Sequence, residues 1–187
     1  MKKKIVLASG SPRRKELLRF ITDDFEVRPS DADENISTEL SPEDTVKTLA
    51  QLKAEAVKAE LTEETVISAD TVVAVNGRIL GKPANEKEAF DMLHMLSGRE
   101  HCVYTGVCIL TENTKKVFSV CSVVSFYELS DEEILQYIST GEPMDKAGAY
   151  GIQGKGCLLV REIHGDYFNI VGLPVSRLAK ELAVLGL

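Results

Sequence analysis

Residues Thr65–Val75 form an eleven-residue run dominated by β-branched and small apolar side chains, followed at once by Asn76-Gly77 and a second short run, Arg78–Leu80. Asn-Gly is the favoured two-residue hairpin turn because both central positions take positive φ, so an antiparallel pair is expected here. Strand-like runs elsewhere alternate with helical patterns. Residues 5–9 are apolar and end at Gly10, and Ser11-Pro12 supplies an N-cap followed by a proline at the first helical position. Ser41-Pro42-Glu43-Asp44 repeats the device before a helix over residues 41–60. Hairpins together with strand–helix alternation point to an α/β fold with a mixed, twisted sheet and flanking helices, not a purely parallel one.

The remaining pattern fits this frame. A helix is expected from Glu86 to Leu96, stopped by Gly98, and two strands near 102–110 and 117–128 flank the polar connector 111–116. Ser130 and Glu133 form a capping box for a helix ending near Gly141. A glycine-rich stretch, 148–156, leads to an expected strand at 157–163, and a closing helix runs from Pro174 to about Leu185. No repeat, linker or low-complexity tract divides the 187 residues, so residues 1–187 are read as one domain.

Composition excludes several classes. Cys102, Cys108, Cys121 and Cys157 make no CxxC pair, and His94, His101 and His164 lack metal-binding spacing, so reduced thiols are expected in place of a zinc site. A net charge of −7 disfavours broad nucleic-acid binding, and an anionic substrate must be met by a few placed cations. The apolar run after Lys2-Lys3-Lys4 is too short for a secretion signal, and no segment approaches the ~20 apolar residues of a membrane span. A cytoplasmic location is expected.

Several segments carry candidate chemistry. A helix beginning at Ser11-Pro12 presents free N–H groups to an anion, and Arg13 and Arg14 add planar donors matched to phosphate. Successive helical residues point about 100° apart, so one arginine is expected on phosphate and the other elsewhere in the site. Lys53 falls inside the apolar stripe of its helix, four residues from both Leu49 and Val57, where it can either snorkel outward or point into a cleft. Asp70 interrupts the apolar strand, a costly place for a carboxylate without a partner, and Thr71 beside it faces the opposite side. Gly81-Lys82-Pro83 returns a cation just beyond the hairpin. Asp31, Asp33 and Glu34 form an acidic cluster, one member of which can serve a hard cation. The segments 143–154 and 165–174 are glycine-rich, readable either as plain loops or as backbone brought close to a ligand, with Gln153 able to read a base edge and Asn169 a further candidate.

Taken in order, these segments resemble the Maf family of nucleotide pyrophosphatases along nearly the whole chain. The resemblance is carried by Leu7-Ala8-Ser9-Gly10-Ser11-Pro12-Arg13-Arg14, Asp33-Glu34, Lys53-Ala54, Ala69-Asp70-Thr71-Val72-Val73 and Gly81-Lys82-Pro83. It continues through Asp145-Lys146-Ala147-Gly148-Ala149-Tyr150-Gly151-Ile152-Gln153-Gly154 and Asn169-Ile170-Val171-Gly172-Leu173-Pro174. Ser68 departs from the pattern, which has Gly there. The resemblance implies two lobes around a central cleft, often a homodimer, and metal-dependent hydrolysis between the α- and β-phosphates with Mg²⁺ or Mn²⁺. It implies Asp70 as proton acceptor, Ser9, Arg13, Lys53 and Lys82 as phosphate-facing groups, and Glu34 with Asp70 at the metal. Arg14, Thr71 and Gln153 match the positions associated with substrate choice and look like the branch acting on dTTP and UTP, with some modified pyrimidine nucleotides. Two other readings remain: a nucleotide-binding regulator of cell division or septum formation, and a pyrophosphatase for 7-methyl-GTP or purines such as ITP.

Overall fold

The structure, a computed structural model, describes residues 4–37, 39–59, 61 and 63–187. Lys2, Lys3 and Glu60, at the ends of two of the segments discussed above, lie outside the described residues. In chain order the elements are β1 (Ile5–Leu7), α1 (Pro12–Leu18), β2 (Phe25–Val27), α2 (Pro42–Lys58), β3 (Thr65–Val75), β4 (Arg78–Leu80), α3 (Glu86–Leu96), β5 (Glu100–Leu110), β6 (Lys115–Phe126), α4 (Asp131–Ile138), β7 (Val160–His164), α5 (Tyr167–Val171) and α6 (Val175–Val184). Local chemistry sets their starts. Ser11, Ser41 and Asn85 accept the N–H of Arg14, Asp44 and Glu88 respectively, and Ser130 with Glu133 closes the expected capping box.

Seven strands form one sheet in the order β2-β1-β3-β5-β6-β7, with β4 also on β3. β1 runs parallel to β2 and β3, and every other pairing is antiparallel, so the sheet is mixed as expected. β3 is the hinge of the design. One edge pairs with β5 without a break from Val66 to Ala74. The other is shared: β1 takes Thr65–Ile67 and β4 takes Val73–Val75. Residues 68–72 lie between the two partners, and the cleft opens there.

The core divides at the same place. Ala69, with Leu7, Leu18, Ile67, Val107 and Leu178, belongs to a cluster under α1, α5 and α6. Val73, with Leu80, Leu93, Phe126 and Ile134, belongs to another under α3 and α4. Asp70, Thr71 and Val72 bridge the two. A third cluster, including Val6, Ala50, Ala54, Val66 and Cys108, seats α2 on the sheet.

Three features differ from the sequence reading. β2 was not anticipated. The strand expected at 157–163 begins only at Val160, because residues Gly154–Leu159 form 3-10 turns. Inside that stretch the N–H of Val160 bonds back to the carbonyl of Cys157, closing a turn where the ladder would have begun, and the Glu142 carboxylate takes the N–H of Lys155 and Gly156 just before it. β6 starts at Lys115 and stops at Phe126, which shortens the connector before it and ends the strand two residues early.

Candidate active site

A cavity of about 710 Å³ occupies the gap beside β3. Its walls include Arg13, Arg14, Glu34, Lys53, Asp70, Thr71, Lys82, Lys146 and Gln153. Side chains from six separate segments of sequence therefore meet on one cleft.

Asp70 is placed by β3 and faces α2. Its Oδ1 accepts a hydrogen bond from Lys53 Nζ at 2.5 Å, and both side chains are about nine-tenths buried or nearly so (13% and 14% exposed). Lys53 thus turns into the cleft instead of snorkelling outward. The same ammonium reaches Glu34 Oε1 at 3.0 Å, so Lys53 gathers two carboxylates from distant segments around one point. Asp31 and Asp33 are exposed, and Asp33 accepts the N–H of Asn35, a local turn. Ser68, the departure from the family pattern, donates its buried hydroxyl to the carbonyl of Ala50, one turn before Lys53, and so ties α2 to β3.

Thr71 faces the other side of the sheet, as strand alternation requires. Its Oγ1 accepts from Arg14 Nη2 at 3.1 Å and lies 2.9 Å from Thr105 Oγ1 on β5. Arg14 also donates through Nε to the carbonyl of Gly172 and through Nη1 to Ser9 Oγ. Burial pulls the pKa of Arg14 down, and the nearby Asp70 carboxylate opposes this. Arg13 diverges from Arg14 and lies at the rim, 3.7 Å from Asp145 Oδ2. Ser9 is buried behind Arg14 and accepts from it and from the N–H of Ser11; Ser11, not Ser9, lines the cavity.

Lys82 is exposed and lines the cavity, with no ion-pair partner among the described residues. Gln153 is exposed and lines the cavity. Lys146 was missed as a site residue. Its Nζ is held by Glu142 O and Asp145 Oδ1, each at 2.6 Å, and that hydrogen bond holds the Asp145 carboxyl below its usual range. Its stem crosses Gly151 closely: a Cβ there would lie 2.7 Å from it. Asn169, raised as a candidate, is fully buried and serves the scaffold: it donates to Val103 O and Ser122 Oγ and so anchors α5 across β5 and β6.

Among the described residues no cluster of three or more His, Cys, Asp or Glu side chains could hold a metal by itself, and no helix is long and apolar enough to cross a membrane. The four cysteines are free thiols.

Comparison with known proteins agrees with this geometry. A dTTP/UTP pyrophosphatase of Bacillus cereus (strain G9842) is 51% identical over 180 residues, covering 96% of this chain and 94% of that one. A dTTP/UTP pyrophosphatase of Geobacillus sp. (strain WCH70) is 53% identical over 184 residues, covering 98% and 99%. Among solved structures, a HAM1 protein from Coxiella burnetii superimposes with a TM-score of 0.53 at 15% identity over 97% of this chain and 98% of that one, a likeness of fold. The family profile described as Maf-like protein matches residues 4–185, and the chain belongs to that family.

Proposed function

We propose that the chain is a nucleoside triphosphate pyrophosphatase that hydrolyses UTP and dTTP to the monophosphate and pyrophosphate. The observation that carries this reading is the Asp70–Lys53 pair, set in a cleft ringed by Arg13, Lys82 and Lys146. Supporting it are the dTTP/UTP pyrophosphatases that share half of its residues over nearly its full length.

The chemistry follows from the placement. Lys53 occupies Oδ1 of Asp70, leaving Oδ2 to accept a proton from the attacking water. Phosphoryl chemistry depends mostly on positioning and charge stabilisation, so the catalytic burden falls on cations fixed before the substrate arrives. Lys53 is fixed by two carboxylates, and Arg13 and Lys146 are held by Asp145 until a polyphosphate of higher charge density competes for them. Lys82, without an acidic partner among the described residues, is available to the leaving pyrophosphate.

A divalent cation fits this donor set. Mg²⁺ is commonly held by one or two carboxylates together with substrate phosphates, and Glu34 and Asp70 are two carboxylates that line the same cleft, each with one oxygen on Lys53 and the other left for a cation. Bound there with the nucleotide, Mg²⁺ or Mn²⁺ would neutralise phosphate charge. The same reading carries a cytoplasmic location, tested by cell fractionation, and a homodimer, tested by sedimentation of the purified protein.

The testing experiment is a substrate panel of UTP, dTTP, CTP, ITP and 7-methyl-GTP at equal concentration. Preference for UTP and dTTP supports the proposal; preference for ITP or 7-methyl-GTP, or tight binding without product, replaces it.

A further inference from the structure

The hydroxyl groups behind Arg14 have only one consistent arrangement of protons. Thr105 Oγ1 lies 2.8 Å from the carbonyl oxygen of Asn169. A carbonyl cannot donate, so the hydrogen between these oxygens belongs to Thr105. Thr105 is then left only to accept, and the 2.9 Å contact with Thr71 must be a bond donated by Thr71. Thr71 has spent its one proton away from the cleft. One lone pair takes the N–H of Arg14, and one remains. Arg14, with three of its five N–H groups engaged, keeps two.

We propose that Thr105, fully buried and out of reach of substrate, is a positioning residue for base selection: it turns the Thr71 hydroxyl inward so that Thr71 meets the base only as an acceptor. This rests on the UTP/dTTP reading above and supplies its discrimination. An Arg14 donor beside a Thr71 acceptor matches a carbonyl beside the N3–H of uracil or thymine. Cytosine, of the same size, has a bare lone pair at N3 and places it against the lone pair of Thr71. Two observations suit this end of the cleft to a base. Its neighbours Ile170 and Val171 are apolar, whereas Asp70, Lys53 and Glu34 lie across the sheet. Gly172, at φ +124°, leaves the edge open: a Cβ there would stand 3.5 Å from both Arg14 Nε and Thr71 Oγ1.

The test measures kcat/KM for UTP and CTP in the wild type, Thr105→Val and Thr105→Ser. Valine keeps the shape and removes the acceptor, freeing the Thr71 proton to rotate into the cleft and serve N3 of cytosine. The UTP:CTP ratio should fall about tenfold in Thr105→Val, with CTP gaining in absolute rate, and recover in Thr105→Ser. A purely structural role would lower both rates together and leave the ratio alone, which would overturn the proposal. Absence of UTP turnover in the wild type would overturn the functional reading and this proposal with it, a distinguishable outcome. Should Thr105→Val fail to fold, a neutron structure of the deuterated wild type decides the matter. A deuterium bonded to Thr71 and aimed at Thr105 supports the assignment; a Thr105 deuterium aimed at Thr71, or a Thr71 deuterium pointing into the cleft, overturns it.

Discussion

Gly106 on β5 and Val46 on α2 touch backbone to backbone: a Cβ on Gly106 would lie 2.3 Å from the Val46 carbonyl oxygen. Gly106 is also the cross-strand partner of Asp70. The missing side chain lets α2 settle on the sheet directly beside the strand pair that carries Asp70, and Lys53 lies two turns further along the helix. Gly106→Ala must lift α2 against backbone that cannot rotate away. Destabilisation of at least ~2 kcal/mol is expected, read as a lower urea midpoint at unchanged slope, with turnover falling as Lys53 leaves Asp70.

Asp70→Asn keeps the shape of the side chain and its contact with Lys53 but removes the basic oxygen. Turnover should fall about 10²–10⁴-fold while the far-ultraviolet circular dichroism spectrum is retained. Full activity in the folded variant would remove Asp70 from the reaction.

Lys82 is exposed and has no acidic partner among the described residues, so its charge contributes little to folding. Lys82→Ala is expected to leave the unfolding midpoint within about 0.5 kcal/mol of the wild type and to lower kcat/KM about 10²-fold. Steady-state kinetics beside a denaturation curve checks both halves.

Glu34 is more than half exposed, lines the cleft and, among the described residues, forms its ion pair with Lys53. If it helps to hold a divalent cation with the nucleotide, Glu34→Gln should raise the Mg²⁺ concentration for half-maximal activity several-fold with little change in stability. An unchanged Mg²⁺ titration would remove Glu34 from the metal.

His101 is buried between Phe126 and Tyr150, with Nε2 2.7 Å from the Tyr150 hydroxyl, and burial pushes its pKa down to about 4. Unfolded histidine titrates near 6.5, so between about pH 6.5 and 4 the unfolded chain binds the extra proton. Stability is therefore present above pH 6.5 and lost as pH falls towards 4, by up to ~3 kcal/mol from this residue. Urea midpoints across this range should fall less steeply in His101→Gln than in the wild type; parallel profiles would contradict the assignment.

Much of this was legible in the chain where local chemistry decides the outcome. The β3–β4 hairpin follows from Asn76-Gly77, whose φ values are both positive, and α1, α2 and α4 begin where their Ser caps predict. The opposite facing of Asp70 and Thr71 follows from strand alternation, because β3 pairs with β5 without a bulge. What was not legible depends on tertiary partners. Three residues, Phe25–Val27, become a strand only by lying against β1. Residues 157–159 read as the start of a strand, yet the N–H of Val160 closes a turn onto the carbonyl of Cys157, next to backbone donors that Glu142, a dozen residues earlier, captures. Whether Lys53 snorkels or turns inward depends on Asp70 and Glu34, which no helical periodicity reveals. Thr105 and Ser68 read as ordinary strand residues until their hydroxyl partners on α5 and α2 are known.

Phosphorus NMR of UTP incubated with the purified protein and Mg²⁺ tests the central claim most directly, because it identifies which phosphoanhydride is cut. The account predicts UMP and inorganic pyrophosphate appearing in equal amounts, and neither product in Asp70→Asn. UDP with orthophosphate, or UTP left intact by the wild type, would contradict it.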